Sequence, residues 1–341
     1  MLQVRNDTPF IPGMFMFPDE RGVDTLYVAV KATFTLRGHT LTLAEQQCPI
    51  VIADEYWGEP GQSSLKYASE AHLLKPGTDV LLVGAAHAPR GRPVESCRVF
   101  VRVGAATQVL QVFGERKWRG GLFSPSISPP EPFTRIPLVW ERAFGGMHAR
   151  GDGRVLGEER NPVGQGFRGE RSASEMVGRS LPNLEDPRHL IGAISDAPAP
   201  VGVGAIAPAW QPRKGFAGTY DEQWQARRAP YLPRDFQPEF FHVAPSALRV
   251  PEGLKGGEPV ELSNVSPEGT HRLALPRCEL DVAVRMDRRS EHPVMRLETV
   301  LFEPEEARVC LTWRGAVGCD KQALKVHEAH FQVRSVQGVE E

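Results

Sequence analysis

Cysteine is scarce and scattered in this chain. The 341 residues hold five (Cys48, Cys97, Cys278, Cys310 and Cys319), an odd set without a C-x-x-C pair, so neither a disulfide framework nor a zinc knuckle is indicated. Cys97 and Cys310 lie inside apolar runs and read as small buried hydrophobes. An excess of charge of one sign is also missing: 40 Lys plus Arg stand against 42 Asp plus Glu. With no basic stripe, nucleic-acid binding is not expected. No run of about eighteen apolar residues is present. The first residues, MLQVRNDTPFIPG, lack the charged and apolar regions of a secretory signal. Membrane insertion is therefore not expected, and the expected location is cytoplasmic.

Catalytic signatures are missing as well. There is no G-x-S-x-G elbow, no H-E-x-x-H and no P-loop. His327 and His330 fall in a strand-like stretch, where a spacing of three throws them onto opposite faces, poorly placed to share a metal. The expectation is a protein that is not an enzyme, with no catalytic residue, no metal and no cofactor.

What the chain has in quantity is turn residues beside apolar ones: 33 Gly and 30 Pro, with 41% apolar residues. That combination describes a turn-rich globular protein with a real core. Thr25 to Leu36 places Leu26, Val28, Val30, Ala32, Phe34 and Leu36 on one face and Lys31, Thr33 and Thr35 on the other, the pattern of a half-buried strand. Arg37-Gly38-His39 turns it into Thr40–Leu43. Strand composition recurs at 79–85, 96–103 and 108–113, so about half of the first 115 residues reads as one antiparallel sheet system. It returns at 260–262, 270–275, 279–286, 294–302, 308–313 and 323–333, read as a second sheet or the other half of a sandwich. Short helices are expected at 172–181 and 221–228. The predicted fold is mainly β: a sandwich-like or two-lobed antiparallel β scaffold with long, ordered Gly/Pro-rich loops and a few short helices. It is read as a single family domain over 1–341, with an N-terminal β part (1–119), a loop-rich aromatic wrap (120–251) and a C-terminal β part (252–341).

The densest stretch runs from Ala205 to Pro245, with two Trp, two Tyr, four Phe and six Pro and neither helical nor strand periodicity. A flexible linker would be poor in large apolar groups, because burial must offset about 1–2 kcal/mol of backbone entropy per residue. The segment reads as an irregular, ordered wrap clamped onto a β scaffold. Its candidate partner-binding or structural cluster is Trp210, Arg213, Tyr220, Asp221, Trp224, Arg227, Phe236 and Phe240. Trp, Tyr and Arg dominate interface hot spots, and the same residue types make intramolecular cation–π contacts; the pattern leaves both open. Asp221, Glu222, Asp235 and Glu239 are the acid–base candidates. A glycosidase places two carboxyls roughly 5–9 Å apart beside aromatic sugar platforms, whereas capping and pairing with Arg213, Arg227 and Arg234 is the stronger reading.

Ten motifs in order complete the sequence picture. They are VKATF (30–34), GEPG (58–61), KPGTDVLLVGAAHAP (75–89), FGERKW (113–118), PLVWERAFGG (137–146), NPVGQGF (161–167), LPNLEDP (181–187), W-x-P-R-x-x-x-A-G-T-Y-D-x-x-W (210–224), LPRDFQPEFFHVAP (232–245) and LKGGEPVEL (254–262). Together they closely resemble domain-of-unknown-function family 2169 (DUF2169), found among the accessory proteins of bacterial type VI secretion systems, over nearly the whole chain. The resemblance implies an adaptor or chaperone whose partners are a secreted toxin effector, a PAAR-like spike-tip protein, or both, stabilised and loaded onto the secretion spike. It supplies no catalytic residue, and it implies structural roles for Gly145, Gly146, Gly164 and Gly166 and for Trp210 and Trp224. Arg234 and Gln237 stand where the family usually has an acidic residue, which weakens an acidic cluster there. The alternative is a carbohydrate-binding or glycoside-active β-rich protein using the aromatics and carboxylates at 210–241.

Overall fold

The computed structural model describes residues 3–121, 124–287, 289–320 and 323–340; Leu122 and Phe123, within the loop-rich span, fall outside them. Over the described residues the chain is mainly β, with several sheets and a few short helices. The largest sheet has seven strands: β1 (Ile11–Pro18), β2 (Asp24–Arg37), β3 (Thr40–Leu43), β4 (Thr78–Leu82), β5 (Arg249–Val250), β6 (Arg296–Glu303) and β7 (Arg308–Gly318). They lie in the order β5-β4-β6-β7-β2-β1, with β3 turned back on the end of β2.

The register explains the choice of residues. Phe34, Ala32, Val30 and Leu26 on β2 stand directly opposite Val309, Leu311, Trp313 and Val317 on β7, and Val300 and Phe302 on β6 continue the ladder. Residues directly opposite share a face, so this face is an unbroken apolar surface. It packs into one core with the inner faces of two further sheets. One holds Leu184–Glu185, Ala106–Phe113, Ser96–Val103, Pro259–Ser263 and Thr270–Ala274; the other holds Gln3–Asp7, Val326–Gln337, Arg277–Met286 and Ser290–Glu291. Val99, Val101, Leu110 and Leu262 come from the first and Val282, Val284 and Phe331 from the second.

Three expectations are corrected. The scaffold is not wholly antiparallel: β4 runs parallel to β6, and Gln3–Asp7 runs parallel to Glu328–Gln332. The strands before residue 115 do not make one sheet, because 96–113 belongs to a different sheet from β1 to β4. The strands after residue 258 are likewise divided among three sheets. Two-residue alternation identifies a strand and its faces but carries no information about its partners.

The short helices are Ala173–Met176, closed by a capping box between Ser172 and Glu175, and Glu222–Arg227, capped by Asp221. No helix among the described residues is long and apolar enough to cross a membrane.

Candidate functional site

The aromatic wrap contains two kinds of surface. Trp210 is buried and meets Trp140 edge-on, with ring centres 6.3 Å apart. Arg213 is buried too, donating from Nε to the Phe240 carbonyl (2.9 Å) and from Nη1 to the Ile206 carbonyl (2.6 Å), with its guanidinium 5.0 Å from the Phe240 ring. Burial without a paired carboxylate pulls its pKa down to about 10. Phe236 and Phe240 are half-buried and pack with Phe241, which stacks on His72 at 5.3 Å. These groups pin the wrap to the sheet.

Tyr220, Asp221, Trp224 and Arg227 form the outward half. Tyr220 is 54% exposed and meets the half-buried Trp224 edge-on at 4.7 Å. Trp224 Nε1 donates to the Tyr231 carbonyl (2.9 Å), and Tyr231 is itself exposed. Asp221 accepts from the Trp224 backbone N–H at 2.7 Å, and Arg227 faces solvent. Asp235 accepts from the backbone N–H (3.1 Å) and hydroxyl (2.7 Å) of Thr219, which hold its pKa below the usual carboxylate range. Asp221 and Asp235 thus act as caps that set the shape of this aromatic shelf.

A second site went unseen in the sequence. The face of β2 carrying Lys31 and Thr33 is not solvated; both residues are buried. In register across the sheet run Lys31, Thr312, Thr299, Asp79 and Arg249, and a register shift between Leu297 and Thr299 brings Glu298 to the same face. Covering segments complete the pairs. Glu70 accepts from Lys31 Nζ (2.7 Å), Thr312 Oγ1 (2.7 Å) and the Val51 N–H (2.8 Å). Arg314 grips Glu298 with two bonds of 2.9 Å and donates to the Glu70 carbonyl. Lys75 spans Asp79 (3.1 Å) and Thr299 (2.8 Å). His242 Nδ1 lies 2.7 Å from the other Asp79 oxygen. Although burial opposes ionisation of Asp79, the Lys75 charge and the His242 hydrogen bond hold its pKa well down. The result is a layer of buried, paired charges between sheet and wrap, in which Arg314 Nη1 and Arg249 Nη2 are buried without a hydrogen-bond partner.

His72 belongs to this layer, with 10% of its side chain exposed. Burial, then the cations Arg314 and Lys75, push its pKa well below 6.5, against the opposing pull of Glu70. The fold therefore holds His72 neutral while the unfolded chain protonates it near pH 6.5. Stability from this group is present above that pH and falls as pH drops below it, by about 1.4 kcal/mol per unit. Urea unfolding at pH 7.5 and 5.5 should show a drop that shrinks in His72→Gln, which keeps a donor for the Leu73 carbonyl. An equal drop in the variant would remove His72 as its source.

The layer opens into a groove of about 850 Å³ whose lining includes Lys31, Thr33, Cys48, Glu303, Arg308 and Cys310. Glu303 accepts two bonds from Arg308, at 2.6 and 3.0 Å, and one from Tyr67. Elsewhere, Phe144–Gly145 pairs in parallel with Gln165–Gly166, and the Gly146 N–H donates to the Asn161 carbonyl at 2.9 Å. Gly145 has φ near +154°, and a side chain there would bring Cβ within 2.1 Å of the Asn161 carbonyl oxygen. His327 and His330 pair separately, with Asp287 and Asp7. Among the described residues no group of three or more His, Cys, Asp or Glu is placed to hold a metal.

The family model described as "Uncharacterized protein conserved in bacteria (DUF2169)" covers residues 21–314. No curated protein and no solved structure matches the chain.

Proposed function

The chain belongs to the DUF2169 family of uncharacterized bacterial proteins, and on that premise we propose that it is a non-enzymatic adaptor or chaperone for a type VI secretion effector or a PAAR-like spike-tip protein, acting in the cytoplasm. The observation that carries this reading is the aromatic shelf: Tyr220 and Tyr231 exposed and Trp224 half-buried, with Arg227 exposed on the same short helix as Trp224 and Arg228 over the Tyr231 ring, on a loop held by Trp210 and Arg213. Rigid aromatics with an adjacent Arg are the groups that concentrate binding energy in protein interfaces. Pre-organisation by the caps lowers the ordering cost of binding. The reading takes 1–341 as one domain, since β1 to β4 and β6 to β7 share a sheet.

The test is a pull-down with the tagged chain from the native cytosol, read by mass spectrometry, followed by affinity measurement on the partner recovered. Trp224→Ala is expected to weaken that partner at least about 30-fold, the size of a hot spot of about 2 kcal/mol. Its unfolding free energy should fall by about 1–2 kcal/mol, the loss of the bond to the Tyr231 carbonyl and of the edge-on contact with Tyr220, leaving the chain folded. A folded Trp224→Ala that binds as tightly as the parent would remove the shelf from the interface.

The Tyr220–Trp224 pair, with Tyr220 exposed and Trp224 half-buried, also favours a second reading, stacking on a sugar ring. The capping roles of Asp221 and Asp235 leave it as carbohydrate binding more readily than hydrolysis. A thermal shift on a glycan panel, with no protein recovered in the pull-down, would favour it.

A further inference from the structure

Cys48 lies on the segment that follows β3 and crosses the polar face of the large sheet. Gln47 fixes this segment against β2: its side-chain oxygen accepts from the Thr33 N–H (2.7 Å), and its amide donates to the carbonyls of Thr33 (3.0 Å) and Ala44 (2.8 Å). The clamp delivers the Cys48 backbone N–H to Thr33 Oγ1 at 2.9 Å. The same hydroxyl lies 3.7 Å from Cys310 Sγ, and Cys310 stands directly opposite Thr33 on β7. The backbone N–H of Cys48 and the thiol of Cys310 therefore meet over one threonine hydroxyl. Both line the open groove, Cys48 half-buried at its wall and Cys310 buried at its floor.

We propose that Cys48 and Cys310 form a hydroperoxide-oxidisable thiol pair, a modification site in which Cys48 is the reacting sulfur and Cys310 the resolving one. The electrostatics of the groove support the assignment of roles. The neighbouring Cys310 thiol, then the Thr33 hydroxyl and the charges of Arg308 and Lys31, bring the Cys48 pKa down to about 6 against the effect of burial. The neighbouring Cys48 sulfur and burial push Cys310 far up, so it holds the proton. Cys97 and Cys278 show the contrasting case: burial alone raises them to about 11 and about 12, as for inert packed thiols.

The chemistry closes in two steps. The Cys48 thiolate attacks the nearer oxygen of a hydroperoxide; an S–O bond forms, the O–O bond breaks, and the departing alkoxide or hydroxide takes a proton from solvent. Cys48 is then a sulfenic acid, oxidised by two electrons, and the peroxide is reduced to an alcohol or water. Cys310 next attacks the Cys48 sulfur; the S–S bond forms as the S–O bond breaks, and the hydroxyl leaves as water with the Cys310 proton. The product ties the segment over the groove to the β7 strand at its floor.

The experiment uses the full, reduced chain and hydrogen peroxide as probe, with alkylation and peptide mapping. The parent should lose two hydrogens in mass and two alkylatable thiols, mapping to 48 and 310 and restored by a thiol reductant. Cys310→Ser should stop at a sulfenic acid on Cys48, captured by a dimedone-type nucleophile, and it carries the test alone if Cys48→Ser does not fold. In the parent, the rate of Cys48 alkylation by iodoacetamide should rise through about pH 6, where an unperturbed thiol rises near 8.5. A disulfide through any other cysteine, five thiols still alkylated after peroxide, or an alkylation profile centred near pH 8.5 would each overturn the proposal.

Discussion

Replacing Arg314 with Met is expected to lower the free energy of unfolding by about 3–5 kcal/mol, the usual result of removing one member of a buried ion pair. The guanidinium is 1% exposed, and its loss takes the hydrogen bonds from Glu298, leaving that carboxylate beside His72 Nε2 at 3.6 Å, and from the Glu70 carbonyl. The stranded carboxylate, more than the missing attraction, sets the size of the effect. The control is the double variant Arg314→Met/Glu298→Met, which removes both charges and should recover most of the loss, because apolar replacement of a whole buried pair is often neutral. Urea unfolding of the parent, the single and the double variant measures this directly. A double variant as unstable as the single one would show that the cost lies at the Glu70 carbonyl or in packing against Phe15, which Arg314 also covers at 5.6 Å.

Gly145→Ala should be comparably severe, above about 4 kcal/mol, a size reserved for a few named mechanisms. Two act together here: a positive φ of 154°, and a Cβ that would sit 2.1 Å from a backbone oxygen that cannot swing aside. Relief would require separating Phe144–Gly145 from Gln165–Gly166 and breaking the Gly146–Asn161 bond. Gly151→Ala, in the same glycine-rich stretch with nothing within 4 Å of the added carbon, is the matched control and should stay within about 0.5 kcal/mol. Soluble yield and unfolding midpoint compare the two. Equal stability would mean that the 144–166 ladder can open at little cost.

How far the sequence led differs from element to element. β2 was legible almost to the residue, since its alternation of Leu26, Val28, Val30, Ala32 and Phe34 is a local property. The state of its other face was not. Alternation says that Lys31 and Thr33 share a face, and the ordinary assignment for such residues is solvent; what covers them is Glu70 over Lys31 and the Gln47–Cys48 segment over Thr33. A buried charge is recognised only through its partner, and the partner of Lys31 lies 39 residues away and that of Asp79 in the wrap 163 residues away. The wrap was legible as an ordered object from its aromatic content, yet composition cannot tell Trp210, which faces the core, from Trp224, which supports the shelf. Cys48 gave no signal, because its environment is made by Thr33, Arg308 and Cys310.

The seven-stranded sheet has a consequence for synthesis. A ribosome completes β2 long before it reaches β7, the strand that pairs along β2 from Thr25 to Thr35. At about 5–20 residues per second, the interval is on the order of tens of seconds. Throughout it the growing chain carries Leu26, Val28, Val30 and Phe34 on a strand with one edge open, the kind of edge that recruits neighbouring chains. Early in its own biogenesis the chain thus presents an unpaired edge of the kind that holding factors and neighbouring nascent chains would both engage.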